Sequence, residues 1–131
     1  MRILLDTHAW LWLMLEPARI GPATRALVEA GEHTFLLSIA SVWELAIKHA
    51  AGRLTLPEPP HAYVQSRTRA DGIRVLAISV AHACRSAELP RHHADPFDRL
   101  LVAQAELEQL TILTHDQHIP RYGVAVRDPS A

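Results

Sequence analysis

A chain of 131 residues that is 49% hydrophobic can bury a full core in one domain, which excludes a disordered tail or a short peptide. Its net charge of −1, with histidines neutral, excludes a grip on nucleic acid by bulk positive charge alone, but not a nuclease that holds phosphate through a metal and a few arginines. The single Cys84 allows no internal disulfide, Asp6 breaks the apolar N-terminus before a signal peptide can form, and the longest apolar run, Ala9 to Leu15, is too short to span a bilayer. The expectation is one soluble cytoplasmic domain over residues 1–131.

In chain order, short apolar runs alternate with longer amphipathic stretches. "RILLD" (2–6), "TFLLSI" (34–39), "IRVLAI" (73–78), "TILTHD" (111–116) and the weaker "VAVR" (124–127) read as strands. Their near-continuous apolarity suits a parallel sheet covered on both faces. Helix-like segments occupy about 9–15, 22–30, 41–51, 60–70, 79–88 and 96–109, and Gly31, Gly52 and Gly72 sit where such helices stop. The alternation predicts an α/β three-layer domain with a central parallel sheet of four to five strands and right-handed crossovers. In such folds ligands collect at the carboxyl ends of the strands, so the residues just past each strand matter most.

Acids recur there. Asp6 ends the first run and is followed by Thr7, and Asp116 ends the fourth. Glu44 is placed in the first turn of the helix that follows Ser38, and Asp98 opens the helix before the fourth strand. Each has an ordinary structural explanation. Asp6 can terminate a strand or cap a helix, and Asp116 can serve a turn. Glu44 can close a capping box with Ser41 or pair with Lys48 at i,i+4. In "ADPFDRLLVAQA" (94–105), Asp95 fits an N-cap, Pro96 the first helical position and Asp98 the third. Together, however, four carboxylates converging on one sheet edge repel unless a cation neutralises them. Oxygen ligands without thiolate select a hard ion, Mg²⁺ or Mn²⁺, and such ions bind phosphate oxygens, acidify bound water and stabilise a leaving oxygen.

"LLDTHAWLW", "LLSIASVWELAIK", "ADPFDRLLVAQA" and "ILTHD" resemble, in order, the four motifs of the PIN-domain ribonucleases, in particular the VapC-like toxins of type II toxin–antitoxin pairs. The resemblance runs from residue 4 to about residue 126. It implies a PIN-like fold, a Mg²⁺-dependent endoribonuclease acting on RNA, a homodimer and a cognate antitoxin that silences it. Matched residue by residue, the acidic quartet falls on Asp6, Glu44, Asp98 and Asp116, and Thr7, Ser38 and Thr114 match the small hydroxyl positions beside the pocket. In the resulting assignment Asp6 and Asp98 hold the metal, Glu44 and Asp116 complete the acidic ring and orient water or a second ion, and Asp95 is the helix cap. An antitoxin segment that enters such a pocket is expected to carry Arg or Lys.

The remaining features carry less. "HHAD" (92–95) and "HDQH" (115–118) lack the i,i+4 spacing of a helical zinc site, so their histidines are expected on surfaces or loops. At least one of Trp10, Trp12 and Trp43 is expected in the core, with the others available to a partner. Lys48, Arg53, Arg67, Arg69 and Arg74 are candidates to track an RNA backbone or simply to face solvent. Two rivals remain. A haloacid-dehalogenase-type phosphatase also places an Asp after its first strand, but needs a second acid where this chain has His8. A regulatory RNA- or protein-binding module with a degenerate site is expected to lack some of the acids, and here all four are present.

Overall fold

The computed structural model describes all 131 residues. The elements are β1 (Arg2–Leu5), α1 (Thr7–Leu15), a 3₁₀ turn (Pro17–Arg19), α2 (Pro22–Glu29), β2 (Thr34–Ser38), α3 (Ile39–Ala50), α4 (Pro60–Ala70), β3 (Arg74–Leu76), α5 (Val80–Glu88), α6 (Pro96–Glu108), β4 (Thr111–Leu113), a second 3₁₀ turn (Ile119–Tyr122) and β5 (Val126–Arg127). All five strands pair in parallel, in the order β3-β2-β1-β4-β5. The expected three-layer arrangement is what forms. No helix is long and apolar enough to cross a membrane.

Strand alternation divides the core. On β1, Ile3 and Leu5 point to one face and Leu4 to the other; on β4, Leu113 and Ile112 divide the same way. Ile3, Leu5, Leu37 and Leu113 pack with Ala9 and Trp10 of α1, Leu45 of α3, and Tyr63 and Val64 of α4. Leu4, Leu36 and Ile112 pack with Leu101, Val102 and Ala105 of α6. Trp10 is fully buried, its ring 5.9 Å from that of Tyr63, and so meets the expectation of a core tryptophan. Trp43 stays 56% exposed on α3, edge-on to Phe97.

The helix stops behave as expected: Gly31, Gly52 and Gly72 have φ of 70°, 74° and 66° just beyond α2, α3 and α4. Four strand ends differ from the sequence reading, and one of them is β3, which runs over Arg74–Leu76 rather than 73–78. β1 stops at Leu5 because Asp6 turns out to cap α1, its side chain accepting from the His8 N–H at 3.2 Å. β2 stops at Ser38 because that hydroxyl caps α3, accepting from the Ala40 N–H at 3.0 Å. β4 ends at Leu113 rather than at residue 116. At β1 and β2 a short polar side chain takes up an amide at the start of the helix that follows.

The chain order creates a switch point. From β1 the sheet grows through β2 and β3 on one side; the chain then returns to place β4 and β5 on the other. At the carboxyl ends of β1 and β4 the connections leave in opposite directions and open a crevice, the usual ligand position in open parallel sheets. Asp6 follows β1, and Thr114 and Asp116 follow β4. α6 starts above the same edge because it must run back down to enter β4.

Candidate active site

One cavity of about 300 Å³ opens at this crevice, and Asp6, Glu44, Asp95, Asp98 and Asp116 all line it. The four acids expected from separate elements therefore share one pocket. Only one of its ten lining residues is hydrophobic, so charge is left with little except its own neighbours and solvent to compensate it.

Asp6 is fixed at the floor. One carboxylate oxygen caps α1, and the other accepts the Thr114 hydroxyl hydrogen. Thr114 Oγ1 in turn accepts from the Asp116 N–H at 3.0 Å, so the two strand-end acids belong to one network. Burial raises the Asp6 carboxyl above its ordinary value, against the bonds from Thr114 and His8 that favour the charged form.

Glu44 is not in the first turn of its helix, and its expected capping box with Ser41 does not exist. The cap is Ser38, three residues earlier than that reading required, which carries Glu44 into the second turn. There it is buried and points into the pocket, where Thr7 Oγ1 donates to it at 2.7 Å and Lys48 Nζ lies 2.9 Å away. The i,i+4 pair with Lys48 is thus present. Of the five basic residues considered for an RNA track, Lys48 alone lines this pocket.

Asp98 carries the strain of the arrangement. Burial, followed by the charges of Asp6, Asp95, Glu44 and Asp116, pushes its carboxyl up to about 8. Asp95 works as the N-cap: its Oδ1 accepts from the Phe97 N–H at 2.8 Å and from the Asp98 N–H at 3.4 Å. Val102 and Ala105, one and two turns beyond Asp98, are buried against the sheet and set the rotation of α6 that aims Asp98 into the crevice.

The sequence reading missed His93. It was expected among loop or surface histidines, yet its ring enters the pocket with Nε2 2.9 Å from Asp116 Oδ2 and 3.0 Å from Asp98 Oδ2. These three groups offer ligand atoms within 4.8 Å of one another. Asp116 is fully engaged: its Oδ1 accepts from the His118 and Ile119 N–H groups and its Oδ2 from His93. Burial pushes the Asp116 carboxyl up, but the bonds from His93 and from those amides outweigh it and leave the group below the usual carboxylate range.

His93 is held there by Arg99, also unforeseen. The Arg99 guanidinium donates to the carbonyls of Ser86, Leu89, Pro90 and His93 at 2.8, 3.0, 3.0 and 3.4 Å. The Tyr122 hydroxyl accepts from the His93 N–H at 2.9 Å. Arg99→Lys cannot reproduce this fork. It should leave two or more carbonyls without a donor and cost about 2 kcal/mol, read as a lower thermal midpoint with an intact far-UV spectrum.

The family model described as PIN domain matches residues 3–125. The chain belongs to the PIN domain family. This PIN domain is 44% identical over 59 residues to ribonuclease VapC16 of Mycobacterium tuberculosis, a match spanning 45% of the chain and 42% of that relative's length. It is 30% identical over 120 residues to ribonuclease VapC22 of the same organism, covering 89% of the chain and 88% of the relative. Its fold is similar to that of VapBC2 from Rickettsia felis, solved with a DNA fragment from the promoter, at a TM-score of 0.74, 14% identity and 98% coverage of both chains. At that identity the likeness speaks for the fold.

The donor set of this PIN domain fits a hard divalent ion. Every acid in the pocket offers oxygen, hydroxyls of Thr7 and Thr114 support the carboxylates, and no thiolate is present. Asp98, with its carboxyl pushed up to about 8, holds a proton at neutral pH.

Proposed function

We propose that the chain is a divalent-metal-dependent endoribonuclease, with Mg²⁺ or Mn²⁺ as the ion, acting in the cytoplasm as the toxin of a toxin–antitoxin pair. The observation that carries this reading is the convergence of Asp6, Glu44, Asp98 and Asp116 on one pocket at the switch point of the sheet. The names of the two ribonuclease relatives support the substrate class, and the antitoxin partner is what the resemblance of the four motifs implies.

In this reading Asp6 and Asp98 hold the ion. A bound divalent ion supplies charge to the transferring phosphoryl group and lowers the pKa of water at the site. Asp6 is prepared for its part by two fixed donors, which orient its lone pairs before substrate arrives. Glu44, held by Thr7 and balanced by Lys48, faces the pocket as the group that orients water for in-line attack. Asp116 closes the far side of the ring. Lys48, beside the cavity mouth, offers a cation to a flanking phosphate.

Trp43, with Ile39 and Ile47 on the same exposed stripe of α3, supports assembly as a homodimer or contact with an antitoxin. The antitoxin is expected to bring Arg or Lys into the acidic ring. The phosphatase rival loses its footing, because the position it needs for a second acid carries His8 and the chain is a PIN domain.

The test is direct. Chain purified free of antitoxin should cut a structured RNA with Mg²⁺ or Mn²⁺, stop when EDTA is added, and resume when Mn²⁺ is restored. Undiminished cleavage in EDTA rules the mechanism out.

A further inference from the structure

We infer that His93 occupies, as a fixed N–H donor, the position a second divalent ion would take between Asp98 and Asp116, so that the pocket accepts one ion and not two. The inference rests on the metal-dependent reading above and adds to it the number of ions and the residue that sets it.

Two carboxylate oxygens that share an ion lie within roughly 5 Å of each other, because each arm is about 2.0–2.6 Å long. One carboxylate oxygen of Asp98 and one of Asp116 lie within 4.8 Å and meet this condition. The ring nitrogen of His93 sits between them at 3.0 and 2.9 Å, which are hydrogen-bond rather than coordination distances.

Whether that nitrogen is a ligand or a donor is decided on the other side of the ring. His93 Nδ1 accepts from the Asp95 N–H at 3.1 Å. An Nδ1 that accepts a hydrogen bond carries no hydrogen in the neutral ring, so the hydrogen is on Nε2. A ring in that tautomer has no Nε2 lone pair to give to a metal. Tautomer reversal would set Nδ1–H against the Asp95 N–H, donor facing donor. The Asp95 amide cannot turn away, since Pro96 restricts Asp95 to extended backbone and its side chain is committed to capping α6.

The ring is also prevented from swinging out. Its backbone is tied at the N–H by Tyr122 and at the carbonyl by Arg99, and its edge packs on His118 with centroids 5.1 Å apart. His93 thus supplies Asp116 with a permanent donor and keeps its ring nitrogen against Asp98. Asp6 and the remaining oxygen of Asp98 are left to a single ion. His93 acts as a positioning residue that fixes stoichiometry.

The experiment is titration of the antitoxin-free chain with Mn²⁺ alone, followed by calorimetry and by the EPR signal of free Mn²⁺, with EDTA-treated protein as the start. Wild type should bind one equivalent. His93→Ala should bind two, the second appearing without loss of the first. His93→Gln, whose amide can place an N–H near the same point, should return to one. Two equivalents bound by the wild type overturn the inference without recourse to any variant. A folded His93→Ala that binds one ion more weakly than wild type overturns it too, because His93 is then a ligand. If none of the three proteins binds Mn²⁺, the metal-dependent reading itself is wrong. If wild type binds and cleaves but His93→Ala still takes only one ion, the reading stands and the inference alone fails.

Discussion

Asp98→Asn should abolish RNA cleavage while raising the stability of the metal-free protein at neutral pH and above. The two effects have one cause. Asp98 is forced by burial and by four neighbouring carboxylates to hold its proton up to about pH 8, far above the value near 3.8 of a free side chain. An acid whose folded value is raised contributes stability that is fully present below the unfolded value and is lost as pH rises through the folded one. In EDTA, then, the wild-type thermal midpoint should fall between about pH 4 and pH 8, where the unfolded side chain has lost its proton and the folded one still holds it, and level off above pH 8 once Asp98 ionises. Asn in its place keeps the shape, cannot ionise, and should flatten that part of the profile. At pH 8.5 the variant should melt several degrees above wild type, since about 1 kcal/mol moves the midpoint of a chain this size by roughly 2–6 °C. With Mn²⁺ the order should reverse, because the ion takes the proton's place only where a carboxylate can form. Asp95→Asn is the control. Asn caps helices about as well as Asp, so the variant should keep its fold to within about 1 kcal/mol and most of its activity. If Asp95→Asn is dead and Asp98→Asn active, the two acids have been assigned the wrong way round. If both are dead, the segment gives two carboxylates to the ion.

The fold was legible wherever one residue's neighbours in sequence are also its neighbours in space. Parallel strands flanked by helices follow from apolar runs and glycine stops, and the Asp95-Pro96 cap follows from two adjacent residues. Boundaries failed where a side chain chose between ladder and cap. Asp6, which could end a strand or cap a helix, caps; Ser38, read inside the strand 34–39, also caps, and moving the start of α3 from residue 41 to 39 removed the supposed Ser41–Glu44 box. Glu44 still reaches the pocket, because the shift changed its helical turn and not its side of the helix facing Thr7. His93 was not legible at all. Its ring is placed by Asp95 nearby, by Arg99 on α6 and by Tyr122 beyond β4, and only the closed sheet brings those elements together. A histidine two residues before a capping aspartate is the one local hint, since that spacing lets Nδ1 meet the cap's own amide.

Glu44→Gln should leave a folded protein with cleavage reduced by about 10²-fold or more, the scale on which a positioned acid–base group contributes. Burial alone would make Glu44 look like a strut, so the prediction turns on separating support from chemistry. Gln retains an oxygen to accept the Thr7 hydroxyl, the 2.7 Å bond that anchors the side chain. What it loses is the charge and the contact with Lys48, a cation 35% exposed at the pocket mouth. An ion pair with one wet partner contributes about 0–1 kcal/mol, so little stability is at stake. Removing the charge also relieves Asp98, which should then ionise at lower pH than in wild type. Thr7→Val is the opposite variant. It leaves the buried carboxylate in place without its donor, and should cost about 1–3 kcal/mol of stability. If Glu44 were structural only, Thr7→Val would lower the melting temperature and Glu44→Gln would turn over RNA at the wild-type rate. If Glu44 acts on water or phosphate, Glu44→Gln should melt within a degree or two of wild type and be nearly inert. Equal melting temperatures with equal activity in Glu44→Gln and wild type would remove Glu44 from the catalytic ring and leave Asp6, Asp98 and Asp116 to account for the pocket.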